Sequence, residues 1–336
     1  MKQVVLLLLI GAATALLPAA EMLRLEQTLD AMGSVYSIVA YGEDRGKLLA
    51  AVDQAFEEVR RLDRMLSNYK KDSELSRVNA AASNGPVVVS EELFRLLEAC
   101  GRYTRESDGA FDISVGPLMK IWGFYKGSGR LPHRAEIRGV FGRIGFDKVQ
   151  LDATKRTVRF LAPGMELDPG GIGKGYAVDR MVDVLRAEKV TAALISAGSS
   201  SIYALGAPPK EKGWKISIRH PKDLNQSVAE VELRDMSLST SGTSEKFFRA
   251  EGKIYSHIMD PRTGYPAQGM LSVSVMAPKT LDSEAWTKPV FINGRNWLAR
   301  HLQEDSRKAS PQKKGWRFFL CEDKQGGSEH PCAWLQ

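Results

Sequence analysis

The run Tyr255-Ser-His-Ile-Met-Asp-Pro-Arg-Thr-Gly-Tyr265 gathers an imidazole, a carboxylate, a guanidinium and several hydroxyl groups into one short stretch, with Pro261 and Gly264 marking a turn. Holding a fold together rarely needs so many hydrogen-bonding groups in one loop, whereas gripping a phosphate-bearing ligand does. A lone histidine is most often structural. His257 is set apart by Ile258 and Asp260 in a loop dense with donors. A neutral imidazole can take a proton from a hydroxyl near neutral pH, which makes His257 a candidate general base, with Asp260 next in line.

A second block, Glu166-Leu-Asp-Pro-Gly-Gly-Ile-Gly-Lys-Gly-Tyr-Ala-Val-Asp179, places four glycines and Lys174 at the start of a helical pattern. Glycines let backbone amides approach a ligand, a helix N-terminus favours negative charge, and Lys174 adds a full positive charge. The spacing matches neither a Walker loop nor a Rossmann fingerprint, so alone it signals an anion near a helix end, or simply a glycine-rich turn with a surface lysine. The mostly apolar stretch Gly109-Ala-Phe-Asp to Trp122-Gly-Phe124 reads by composition as a core strand and turn. Tyr69 precedes Asp72-Ser-Glu-Leu-Ser and offers a ring for stacking on a flat ligand.

Taken in order, these blocks resemble the ApbE family of FAD:protein FMN transferases, from Met32 to about Gly294. The resemblance implies a mixed α/β (α+β) fold of two intertwined lobes with flavin in the cleft between them. It implies FAD contacts from Met32, Tyr69, Ala110, Phe111, Asp112, Lys174, Arg180, His257 and Ile258, and a catalytic role for His257. It implies Mg²⁺ as cofactor, held by the Ala177 carbonyl with Glu284 and Thr287, and FAD as substrate. The activity implied is transfer of FMN, with release of AMP, to the hydroxyl of an acceptor protein carrying a Ser/Thr-Gly-Ala-Ser/Thr motif, such as a redox-pump subunit or an extracytoplasmic electron-transfer protein. The alternatives are an FAD pyrophosphatase yielding FMN and AMP, and a flavin-binding protein without turnover.

Two places depart from the family pattern. Where the family has Ala-Asp-Ala-Leu-Ser-Thr-Ala, a gapless register puts Glu284 at the aspartate, Thr287 at the serine and Lys288 at the final threonine. A one-residue shift makes Asp282 and Thr287 the ligands instead. Ser196-Ala-Gly-Ser-Ser-Ser201 stands where two glycines and an aspartate are common, and no specific role is carried over to it.

These groups need a scaffold. Met32 to Tyr41 reads as a strand entered through a glycine turn, and Leu48 to Leu66 as a long amphipathic helix. Ser73 and Ser90 are placed to cap helices. Val149–Asp152 and Thr157–Phe160 suit a hairpin, Lys174 opens a helix, and Ala192–Ser196 is an apolar strand. Short strands dominate from Trp214 onward. Elements mix without strict alternation, as expected of an α+β protein.

At the N-terminus, Lys2 followed by an apolar run to Leu17 and Ala19-Ala20 has the build of a signal peptide over residues 1–20. A short membrane anchor or a buried first helix is the other reading. Export would give a periplasmic or otherwise extracytoplasmic protein, free or at the inner membrane. A transferase domain over 21–305 and a strand-and-tail segment over 306–336 complete the expected organisation. Cys100 reads as a core thiol, while Cys321 and Cys332 read as a disulfide or as two free thiols. The net charge of +7 is scattered. Without interleaved aromatics it excludes nucleic acid as the expected partner, while a mild positive field favours an anionic dinucleotide.

Overall fold

A computed structural model describes residues 22–308, 312–323 and 331–335, so the signal-peptide reading of 1–20 lies outside the described residues. An eight-stranded sheet organises the chain: β1 (Leu23–Ala31), β2 (Ser34–Gly42), β3 (Ala192–Ala197), β4 (Ser201–Leu205), β5 (Met236–Gly242), β6 (Met270–Ala277), β7 (Arg317–Glu322) and β8 (Cys332–Leu335). Every pairing is antiparallel, and spatial order follows chain order from edge to edge. The expected strand at Met32–Tyr41 is half of a hairpin, turned at Met32 (φ 51) and Gly33 (φ 68). Two left-handed residues match the twist of paired strands. Met32 holds that conformation without glycine's freedom.

Three helices cover one face: α1 (Arg45–Leu66), α2 (Gly173–Ala187) and α3 (Thr280–Ser306). In α1 the expected periodicity buries Leu48, Val52, Phe56, Val59, Leu62 and Leu66. Asp179 of α2 accepts the Thr280 and Leu281 amides, capping α3. α3 lies close on β5 because small residues meet: Ser283 Oγ touches Ser237 and Ser239, and Thr287 Oγ1 touches Ser241. A hairpin of Trp214–Arg219 and Ser227–Leu233 covers the opposite face with Trp214, Ile216, Ile218, Val231 and Leu233. Among the described residues, no helix is long and apolar enough to cross a membrane.

A smaller lobe has its own core around Trp122, with Leu118, Ile137, Val140, Ile144 and Met259. The stretch expected as strand and turn is helical here, at Ile113–Val115 and Gly116–Ile121. Onto this lobe folds a hairpin, Phe247–Ala250 with Lys253–Ser256, whose Phe248 and Tyr255 rings lie 6.2 and 5.5 Å from Trp122. Cys321 and Cys332 pair across β7 and β8 as a disulfide, and Cys100 is a buried free thiol.

Candidate active site

Between the helix-covered body and the Trp122 lobe lies a cleft of about 460 Å³, within the range of cofactor-sized sites. Each wall has a local origin. From the glycine-rich block, Asp168 accepts the Gly170 amide at 2.7 Å and starts the short turn Pro169–Gly171, after which α2 begins at Gly173. Lys174, in the first turn of α2, donates to Ser200 Oγ. Met32 projects from its hairpin turn against Gly173 and accepts the Tyr36 hydroxyl on its sulfur at 3.3 Å. Phe111 and Ala110 contribute buried wall, and Tyr69, 73% exposed, stands edge-on to Tyr125 at 6.0 Å.

His257 is fixed by hairpin register. The positive-φ pair Glu251-Gly252 makes the turn, and Phe247 pairs with Ser256, so counting outward sets Lys246 opposite His257. Accordingly the His257 amide donates to the Lys246 carbonyl at 3.0 Å, and His257 Nδ1 lies 3.1 Å from the same oxygen. A carbonyl only accepts, so this bond puts the ring proton on Nδ1 and leaves the Nε2 lone pair free. The residue is half-buried and lines the cleft. Its pKa is pulled down to about 4, first by loss of water and then by Lys174, Lys288 and Lys246, while its bond to the Lys246 carbonyl acts the other way. At neutral pH it is an uncharged base.

The structure thus brings Met32, Tyr69, Ala110, Phe111, Asp112, Lys174, His257 and Ile258 to one cleft. Within that group, Asp112 has a structural carboxylate: its two oxygens accept the Ser114 and Phe146 amides, and burial raises its pKa. Arg180 is not in the cleft. Six residues beyond Lys174, it lies some 240° around a 100°-per-residue helix. There it pairs with Glu58 at 3.3 Å and Asp183 at 3.0 Å. Asp260 is tied up by Arg262, which in turn donates to Asn293.

The expected metal ligands are near one another but do not fit a divalent cation. Ala177 is fully buried in α2. Glu284 Oε2 accepts the Gly175 amide at 2.5 Å, capping the first turn of α2, and Oε1 faces Lys288 Nζ at 3.9 Å. Thr287 Oγ1 donates to the Glu284 carbonyl and meets Ser241 Oγ, each at 2.7 Å. The shifted register fares no better, since Asp282 faces Tyr103 and Arg102 on another helix. Among the described residues, no group of three or more His, Cys, Asp or Glu side chains is arranged for a metal. Lys288 itself lines the cleft, with its pKa lowered to about 8 by burial, Glu284 opposing and Lys174 reinforcing that shift.

Sequence reasoning missed Lys246 and Tyr125 as cleft residues, and gave no role of their own to Ser200 and Asp168, which also line the cleft. The Glu251-Gly252 turn was the available signal for Lys246. Nothing local could bring Tyr125 to Asp168, which it meets at 2.9 Å.

The sequence model of the ApbE family matches residues 32–309. An FAD:protein FMN transferase of Klebsiella pneumoniae (strain 342) is 35% identical over 264 residues, covering 77% of this chain and 79% of its own length. Solved structures are similar as well. The ApbE protein from Thermotoga maritima has a TM-score of 0.81 at 27% identity, over 92% of this chain and 97% of its own. The apo flavinyl transferase ApbE of Pseudomonas stutzeri has 0.80 at 26%, over 94% and 95%.

Proposed function

Since the chain belongs to the ApbE family, we propose that it is an FAD:protein FMN transferase that esterifies a Ser or Thr hydroxyl of an acceptor protein with FMN and releases AMP. One observation carries this reading: a half-buried, neutral His257 with a free Nε2 shares a cleft with Lys174, the glycine-rich turn and the Met32–Phe111 wall. The flat isoalloxazine suits the apolar and aromatic wall. The diphosphate suits the Gly170–Lys174 end, where amides and an ammonium meet negative charge.

In the reaction, His257 Nε2 takes the proton of the acceptor hydroxyl as its oxygen attacks the FMN-side phosphorus. The new P–O bond forms as the bond from that phosphorus to the bridging oxygen breaks. The bridging oxygen and its electron pair leave with AMP. The lysines stabilise charge on the transferring phosphoryl group, the main requirement of such a transfer. The acceptor is a protein with a Ser/Thr-Gly-Ala-Ser/Thr segment. Supporting an extracytoplasmic location are the signal-like residues 1–20 and the Cys321–Cys332 disulfide, which belongs to oxidising compartments.

The test is to incubate the protein with FAD and a peptide bearing that segment, then weigh the peptide. A gain equal to FMN supports transfer. Free FMN and AMP beside an unmodified peptide would make it a hydrolase, and intact FAD a binding protein.

A further inference from the structure

We infer that Lys288 supplies, as part of the chain, the positive charge for which a bound divalent cation would otherwise be needed, so that this protein holds and cleaves the FAD diphosphate without a metal ion. The inference rests on the flavin-transferase reading and concerns how that same site manages charge.

Geometry carries it. Lys288 is one helical turn beyond Glu284 on α3, and its side chain is 19% exposed. Its ammonium donates to the Glu284 carbonyl at 2.9 Å and stands 3.9 Å from Glu284 Oε1. It therefore sits where a cation bound to that carboxylate would sit. Its Cε lies 3.5 Å from the position a Cβ on Gly171 would take, so the ammonium stem runs against the glycine-rich turn. That turn also leads to Lys174, and both lysines line the cleft. Two fixed cations thus flank the end of the cleft suited to the diphosphate.

The same geometry leaves no place for a metal. Glu284 offers one oxygen, because the other holds the Gly175 amide, and the Thr287 hydroxyl is committed to protein partners on both sides. A divalent ion at Glu284 Oε1 would lie beside an ammonium, with like-charge repulsion in a site largely shielded from water. Gly175 enforces the arrangement, since a Cβ there would come within 2.9 Å of Glu284 Oε2.

The test uses the full chain with FAD and acceptor peptide, in excess EDTA or with magnesium chloride, following peptide mass and, separately, equilibrium FAD binding. The wild type should transfer FMN at the same rate within about twofold in both conditions, and titration of magnesium into the FAD complex should show no binding. Lys288→Thr should weaken FAD binding in EDTA by roughly 10- to 100-fold, the loss expected for a charge-assisted contact. Magnesium should restore part of that loss, because a hydroxyl frees the carboxylate for the metal. Lys288→Arg keeps the charge and should keep metal-free binding, and thermal melts of both variants check that they fold. Wild-type transfer that stops in EDTA and returns with magnesium overturns the inference and leaves the transferase reading standing. FAD bound equally well by Lys288→Thr and wild type in EDTA also overturns it. FAD that is bound but never cleaved removes the transferase reading, while the binding arm still decides the role of Lys288. No FAD binding in any condition removes both.

Discussion

His257 joins two properties that usually conflict, a half-buried ring with a lowered pKa and a free lone pair. The Lys246 carbonyl reconciles them by fixing the tautomer. His257→Ala should lower FMN transfer by ~10² to 10⁴, the range for losing a general base. FAD affinity should stay within a few-fold, because binding is spread over the other cleft walls, and added alkali should partly rescue the rate. The lowered pKa also has a direction. The folded state takes up its proton near pH 4 and the unfolded chain near 6.5, so the unfolded state binds more protons in between. Acidification across that window should therefore cost stability, and His257→Gln should flatten that part of a melting-temperature profile. Transfer should hold its rate well below pH 6.5 before failing. Arg180 makes the opposite case: because it faces Glu58 and Asp183, Arg180→Ala should leave FAD affinity unchanged in a binding titration.

At the scale of elements, the site depends on a hairpin carried by an aromatic lobe. Trp122 stacks near Phe248 and Tyr255 and donates its indole N–H to the Gly264 carbonyl at 2.9 Å, bracing the strand before His257 and the turn after it. Trp122→Ala should cost ~3–5 kcal/mol, read as a lowered melting temperature, and should reduce transfer by displacing His257. Much at this scale was legible in the sequence. The Leu48–Leu66 periodicity, the Ser73 and Ser90 caps and the Val149–Phe160 hairpin all stand in the structure. The long helix α3 was not. Pro289 and the kink at Gly294 (φ 75) interrupt a pattern whose face toward β5 is serine and threonine, so no apolar stripe announces it. The site residues were legible by motif. Their division between cleft and outer surface needed the rotation of α2, which separates Lys174 from Arg180.

Across the whole molecule, the sheet runs in chain order from β1 to β8, with the disulfide joining its last two strands. Cys332→Ser should lower stability by about 3 kcal/mol, the loop-closure value for so short a ring, and leave transfer unchanged because neither cysteine lines the cleft. Every residue lining the cleft lies between Met32 and Lys288, yet β7 buries Phe318, Phe319 and Leu320 within the cores on both faces of the sheet. A chain stopped after Ser306 should therefore fail to bind FAD in an equilibrium titration, although it lacks no lining residue. The order of synthesis gives this arrangement its meaning. The chemistry is written early and the sheet that supports it is completed later, so an unfinished copy would carry every reactive group before its pocket could work.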